Sequence, residues 1–228
     1  MLIPSIDLLG GQIVQLVQGE KLRLAFDDFE YWIERFSNYP LVQLIDLDAA
    51  MRQGDNTELV EQICKRLPCQ VGGGIGTVQR AQSVLSAGAR RVIVGSSLFS
   101  EQDGAGQVNT DHASELAAAL GTGRIVAGID ARGGMIATKG WKSQVALTPE
   151  EAIPALEPYA GAFLYTHIDG EGLMQGFPIE IAQRLRALTQ RQLIVAGGIR
   201  SQQEIDDLAA IHVDAVAGMA VYTNLLPA

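Results

Sequence analysis

Two aspartates occupy the same place in two similar stretches of the chain. Residues 6–14 read IDLLGGQIV and residues 129–137 read IDARGGMIA, so Asp7 and Asp130 are equivalents 123 positions apart. Carboxylates on opposite sides of a substrate can act as general base and general acid, provided their surroundings separate the two pKa values. The same offset relates Ile45-Asp46 to Ile168-Asp169 and Gly95 to Gly218. One residue of slippage lays Gly73-Gly74-Ile75 on Gly197-Gly198-Ile199. Landmarks in one order at one spacing describe a half-fold used twice. Glycine lets backbone N–H groups approach an anion closely, and a helix N-terminus behind it adds a favourable dipole. Gly73, Gly74, Gly95 and Ser96 therefore form one candidate phosphate site, and Gly197, Gly198 and Gly218 a second. The spacing is not the GxGxxG of a dinucleotide fold.

The remaining candidates are single residues. Trp141, in KGWK in an extended stretch, either stacks on a flat heterocycle or packs its loop, whereas Trp32 sits in a helical pattern and reads as packing. Asp46 and Asp169, with Asp48 and Glu171 close by, either join the chemistry or hold loops through backbone N–H groups. His167 directly follows Thr166 and is expected to be structural. There is no Ser–His–Asp order, no metal-ligand cluster and no lysine placed as a Schiff base, so neither metal nor cofactor is expected.

These residues need a frame. Short apolar runs at Leu2–Ile6, Leu41–Ile45, Cys69–Val71, Arg91–Val94, Arg124–Ile129, Ala162–Thr166, Leu193–Ala196 and Ala215–Ala217 are apolar throughout, as parallel strands covered on both faces are. Helical patterns alternate with them at Asp27–Phe36, Thr57–Arg66, Thr77–Ala87, Asp111–Leu120, Thr148–Leu156, Pro178–Leu188 and Ser201–Ala210. Thr148-Pro149-Glu150-Glu151 supplies a capping hydroxyl, a proline at the first helical position and acids in the first turn, and Ser201-Gln202-Gln203-Glu204 fits a capping box. The alternation predicts an α/β protein, a (β/α)8 TIM barrel of two duplicated half-barrels, with an open doubly wound sheet as runner-up. Little chain follows Gly218, so the last helix should be short or incomplete. Glu101–Thr110 reads as a loop before the fourth helix. In such a barrel the working face lies at the carboxyl ends of the strands, where Asp7 and Asp130 fall on strands one and five, opposite each other.

Composition agrees. The 228 residues are 47% hydrophobic and 19% charged, with no disordered tract, and read as one domain over 1–228 with halves of about 1–122 and 123–228. A net charge of −9 gives no support for binding nucleic acid or acidic membranes. Cys64 and Cys69 are expected as reduced, semi-buried thiols. MLIPSIDLLGG reads as a first strand and not a signal peptide, and no apolar run approaches the ~20 residues that span a bilayer, so a cytoplasmic location is expected.

At this point the motifs resemble a family, the ProFAR isomerases of histidine biosynthesis, over nearly the whole chain. IPSIDLLGGQIVQLVQG is similar to the family's opening strand and loop, which implies Asp7 as catalytic base. QVGGGI and VIVGSSL resemble its first phosphate site, GIDAR the segment carrying its acid at Asp130, KGW its stacking tryptophan, and VAGGIRS with Gly218 its second phosphate site. The resemblance implies an Amadori rearrangement of an aminoaldose to an aminoketose on a bisphosphorylated small molecule, by a monomer without cofactor. Thr166 and Glu171 would assist the two aspartates, and Gly19, Gly172 and Met219 would join the substrate contacts. One stretch departs: where many bacterial members carry a TD-x-x-x-DGT-type segment, this chain has THIDGEGL, with Glu171 for the acid and Leu173 for the threonine. That EGL form is similar to the eukaryotic-type branch.

Three other readings stand beside it. The cyclase subunit of imidazole glycerol phosphate synthase shares the duplicated barrel, but usually has Cys where Ser5 stands and a basic residue where IVQLVQG has Gln. A bifunctional isomerase also taking phosphoribosylanthranilate would use extra loop arginines, for which Arg23 and Arg132 are candidates. A non-catalytic phosphate-binding barrel would not need both Asp7 and Asp130.

Overall fold

Strands that are apolar on both faces need cover on both, and closing the sheet on itself provides it. In the computed structural model, which describes residues 1–102 and 104–227, eight parallel strands form a closed barrel. They are β1 (Leu2–Leu9), β2 (Val42–Asp46), β3 (Cys69–Gly72), β4 (Arg91–Val94), β5 (Ile125–Gly128), β6 (Ala162–Thr166), β7 (Gln192–Ala196) and β8 (Val213–Ala217). They pair in that order, and β8 returns to β1 through Leu2↔Ala215, Ile3↔Val216 and Pro4↔Ala217. The helices between them are α1 (Phe29–Phe36), α2 (Thr57–Cys64), α3 (Val78–Ser86), α4 (Thr110–Leu120), α5 (Pro149–Leu156), α6 (Ile179–Arg186) and α7 (Gln202–Ala210), with a single turn, α8 (Met219–Tyr222), after β8. This is the expected (β/α)8 barrel, short last helix included.

The two-residue period of a strand decides which side chains enter the barrel. On β6, Ala162 and Leu164 pack inside with Ile3, Ile93, Val126, Ile194, Ala196 and Val216, while Phe163 and Tyr165 pack outward against the helices. Counting four residues up from Ile3 reaches Asp7; β5 ends at Gly128, short of the expected Ile129, yet Asp130, four residues on from Val126, lines the same cavity, so both carboxylates sit above an apolar plug. Below the plug the lumen is closed by a polar layer. Arg91 donates to Gln70 and Gln192, and Gln70 donates to Gln43.

The helix starts follow their local chemistry. Thr148 and Glu151 form a reciprocal capping box on α5, with Pro149 at the first helical position. Ser201 and Glu204 form one on α7, and Glu204 also accepts the Phe177 and Arg200 amides, tying the loop after β6 to the loop after β7.

Four expectations need correction. β1 runs on to Leu9, so Asp7 lies inside the strand; the extension comes from a hairpin in which Gln12–Val17 and Lys21–Phe26 fold back, pairing Asp7 with Val14. Strand five begins at Ile125, because Thr122–Arg124 is a 3-10 turn. The segment from Glu101 is not a plain loop: Phe99–Gln102 and Ala105–Val108 pair as a hairpin, although Asp103 itself lies outside the described residues, and α4 already starts at Thr110. Trp141 is not in extended backbone but in a turn, at φ +65°, between the short strands Met135–Thr138 and Ser143–Gln144. A one-turn helix after β2, Leu47–Met51, has no counterpart in the hydrophobic pattern.

Candidate active site

The carboxyl ends of the strands surround one cavity of about 910 Å³, a size suited to a small organic ligand. The residues that the isomerase resemblance implies for catalysis and substrate binding line it: Asp7, Asp130, Thr166 and Glu171, and with them Gly19, Gly73, Gly74, Gly95, Ser96, Trp141, Gly172, Gly197, Gly198, Gly218 and Met219. The second acid pair does not. Asp46 accepts from the Ala49 and Asn56 amides and the Asn56 side chain, so it organises its own loop. Asp48 and Asp169 perform the same task in the two halves: Asp48 accepts the Gly10 amide at 2.7 Å and Asp169 the Gly133 amide at 2.8 Å. Each thereby pins the glycine turn that follows Asp7 or Asp130. His167 lies outside the cavity and packs on Phe177.

Three loops meet over the mouth. The indole of Trp141 lies against Gly19, where a Cβ would come within 2.6 Å of the ring. Gly140 abuts Ala50, and the Lys139 amide donates to the Ser96 hydroxyl at 2.8 Å. Gly172 packs on Leu16 and Val17 of the β1 hairpin, which brings Glu171 to the Asp7 side. Of the non-glycine residues in left-handed backbone, Arg52, Lys139, Trp141 and Met174 all line this cavity. Strained conformations held at one opening are typical of a binding site.

Asp7, Asp130 and Glu171, three of the acids lining the cavity, are shifted in one direction. Burial pushes Asp7 from 3.8 up to about 6, against the hydrogen bond it accepts from Ser5 at 2.9 Å. Burial also raises Asp130, opposed first by the Thr166 hydroxyl, then by the Trp141 indole N–H, which donates to Oδ2 at 2.9 Å, and by the Thr166 amide. Glu171 is raised to about 7, first by burial and then by the charge of Asp7, with the amides of Gly19 and Gln18 working the other way. Acids shifted toward neutrality in an enclosed site can both give and take protons near pH 7.

The anion sites are matched in backbone detail. Gly73 and Gly197 both have φ +102°, and a Cβ there would fall 2.1 Å from the Asp46 carbonyl oxygen or 2.3 Å from that of His167. Only glycine tolerates both that conformation and that approach. Gly95 and Gly218 share a second unusual geometry, with φ/ψ of −116°/−98° and −106°/−85°, each opening a short helical turn. The sites differ in charge. Among the described residues the only cations lining the cavity are Arg52 and Lys139, both on loops beside the first site, while Gln15 lies against Gly218 at the second.

The family model described as histidine biosynthesis protein matches residues 1–227. The chain belongs to this histidine biosynthesis family. Its curated relatives include proteins named 1-(5-phosphoribosyl)-5-((5-phosphoribosylamino)methylideneamino) imidazole-4-carboxamide isomerase. That of Methanocaldococcus jannaschii is 31% identical, covering 99% of this chain and 95% of the relative. That of Deinococcus radiodurans is 30% identical, covering 99% and 94%. Within this histidine biosynthesis barrel, sequence reasoning missed Arg52, Lys139 and Gln15. The first two lie on irregular backbone without a hydrophobic pattern, and Gln15 is brought in by the unforeseen hairpin. Arg23 and Arg132 do not line the cavity; Arg132 bonds instead to the Trp141 carbonyl.

Proposed function

We propose that the protein is the ProFAR isomerase of histidine biosynthesis, converting the aminoaldose to the aminoketose by an intramolecular Amadori rearrangement. The observation that carries this reading is the pair of equivalent carboxylates, Asp7 and Asp130, facing one cavity between two matched glycine anion sites. Two anion sites suit a ligand with a phosphate at each end, and the relatives bear the name of this isomerase. Asp130 is the general acid: its proton goes to the ribose ring oxygen as the C1–O bond breaks, leaving an open-chain Schiff base. Asp7 is the base: it takes the C2 proton and yields an enolamine, which becomes the ketose when C1 gains a proton and the C2 hydroxyl loses one. Thr166 supports Asp130, and Glu171, beside Asp7 and raised to about 7, assists in moving the protons. Gly19, Gly172 and Trp141 contact the central part of the substrate, and Gly73, Gly74, Gly95, Ser96, Gly197, Gly198, Gly218 and Met219 its phosphates. The EGL segment at 171–173 marks the chain as a eukaryotic-type variant of this enzyme.

The reading carries a monomer in the cytoplasm with it; no described helix is long and apolar enough to cross a membrane. The test is a spectrophotometric turnover assay with ProFAR on the wild-type protein and Asp7→Asn. Conversion that collapses by orders of magnitude in the variant supports the reading. No conversion by folded wild type overturns it in favour of the cyclase or a binding barrel, and turnover of phosphoribosylanthranilate as well would make the enzyme bifunctional.

A further inference from the structure

The two oxygens of Asp130 are not equivalent. Oδ2 accepts the indole N–H of Trp141 at 2.9 Å, whereas Oδ1 is buried and no described residue, the neighbouring Thr166 included, meets it with hydrogen-bond geometry. A protonated carboxyl carries its hydrogen on one oxygen and leaves the other as the better acceptor. An N–H fixed on Oδ2 therefore selects Oδ1 as the oxygen that bears and releases the proton. Burying a polar atom without a partner costs free energy, so Oδ1 awaits a partner from the ligand that fills the cavity. Trp141 is itself held firmly. Its ring lies on Gly19, its carbonyl accepts from Arg132 at 3.5 Å, and its neighbours Lys139 and Gly140 are tied to Ser96 and Ala50.

We infer that Trp141 is a positioning residue for the acid: its indole N–H orients Asp130 so that Oδ1 delivers the proton, and it stabilises the carboxylate left behind. Trp141 belongs to the loop over the mouth, so the packing of that loop on Gly19 and Ala50 sets the acid. The role is separate from stacking on the substrate, which uses the ring face and not the N–H. The other charged or titratable groups around Asp130 are Arg132 and Lys139 on its own loop, Tyr165 and Glu171 on and after β6, and Asp7 on β1, and none of them hydrogen-bonds to its carboxylate. As the proton leaves, charge develops on a carboxylate that already has a fixed donor, which is where a preorganised dipole lowers a barrier most.

This inference rests on the isomerase reading for its chemistry, but its geometry can be tested without turnover. The chain has two tryptophans, so indole 15N labelling gives two N–H resonances, and the one absent from Trp141→Phe belongs to Trp141. It should shift with pH as Asp130 titrates and lose that dependence in Asp130→Ala; a pH-independent Trp141 resonance in wild type overturns the pairing. With ProFAR, Trp141→Phe should lower kcat by about 10- to 100-fold, with KM changed less than about threefold. Loss of the donor also destabilises the carboxylate, so the alkaline limb of kcat/KM should move up by about one pH unit. Benzothienylalanine at position 141 keeps the fused ring and removes only the N–H, and should reproduce both effects if the phenylalanine variant folds poorly. An unchanged pH profile with only a raised KM, in either variant, overturns the positioning role. If the resonance titrates but ProFAR is not turned over by wild type, the isomerase reading falls while the pairing stands.

Discussion

Replacing Asp7 by Asn should make the protein more stable and far less active. Asp7 sits where burial raises its pKa from 3.8 to about 6. Between those values the folded state holds a proton that the unfolded chain has released, so stability falls as pH rises through this window and stays reduced above it. A shift of about two units corresponds to about 3 kcal/mol of destabilisation at neutral pH. Asparagine carries no charge and keeps an oxygen for the Ser5 hydroxyl, which now bonds Oδ1 at 2.9 Å, so most of that penalty should vanish. Some is already offset by polar groups and solvent in the cavity, so the expected gain at pH 8 is about 1–3 kcal/mol, or roughly 2–10 °C in Tm for a chain of this size. At pH 4 the two proteins should be nearly equal. Urea unfolding of both at pH 4, 6 and 8 measures this, with turnover measured in parallel; loss of the base should lower kcat by about 100- to 10,000-fold. A variant no more stable than wild type at pH 8, or a stability difference independent of pH, would refute the claim that Asp7 is held against its ionisation by burial.

Other substitutions probe the rest of the site. Glu171→Gln should remove from the folded protein the carboxyl that burial and the charge of Asp7 raise to about 7; a 13C carboxyl titration that still shows it in the variant contradicts that assignment. Gly197→Ala would set a Cβ 2.3 Å from the His167 carbonyl oxygen at φ +102°, and should cost about 3–5 kcal/mol in chemical denaturation and weaken phosphate binding. Arg52→Gln removes one of the two cations that line the cavity among the described residues, both of which lie beside the first anion site, and should raise KM about tenfold, or by about 1.4 kcal/mol, with kcat little changed. Asp169→Ala frees the Gly133 amide that it now holds at 2.8 Å; hydrogen exchange at that amide should speed up, with a stability loss of about 1–2 kcal/mol.

What the sequence by itself determined is whatever repeats or alternates. The barrel was legible because two-sided apolar strands admit few architectures, and the starts of α5 and α7 were legible because Thr148 and Ser201 with their glutamates satisfy caps within four residues. Asp7 and Asp130 were legible as a pair because duplication gave each an identical setting, and strand parity then turned both inward. Tertiary structure decided what depends on distant neighbours. Asp46 and Asp169 look as suggestive in sequence as Asp7 and Asp130, yet Asp46 meets Asn56 and Asp169 meets Gly133, and both are spent on holding loops. The pKa shifts needed the enclosure around each carboxyl, because burial is not a property of a residue type. Trp141 could be placed at the mouth from KGWK, but only the folded loop brings its N–H to one oxygen of Asp130 and leaves the other free. Arg52 and Lys139 escaped notice for the same reason: a cation on an irregular loop acquires a direction only when packing, here Gly140 on Ala50, brings its loop to the cavity.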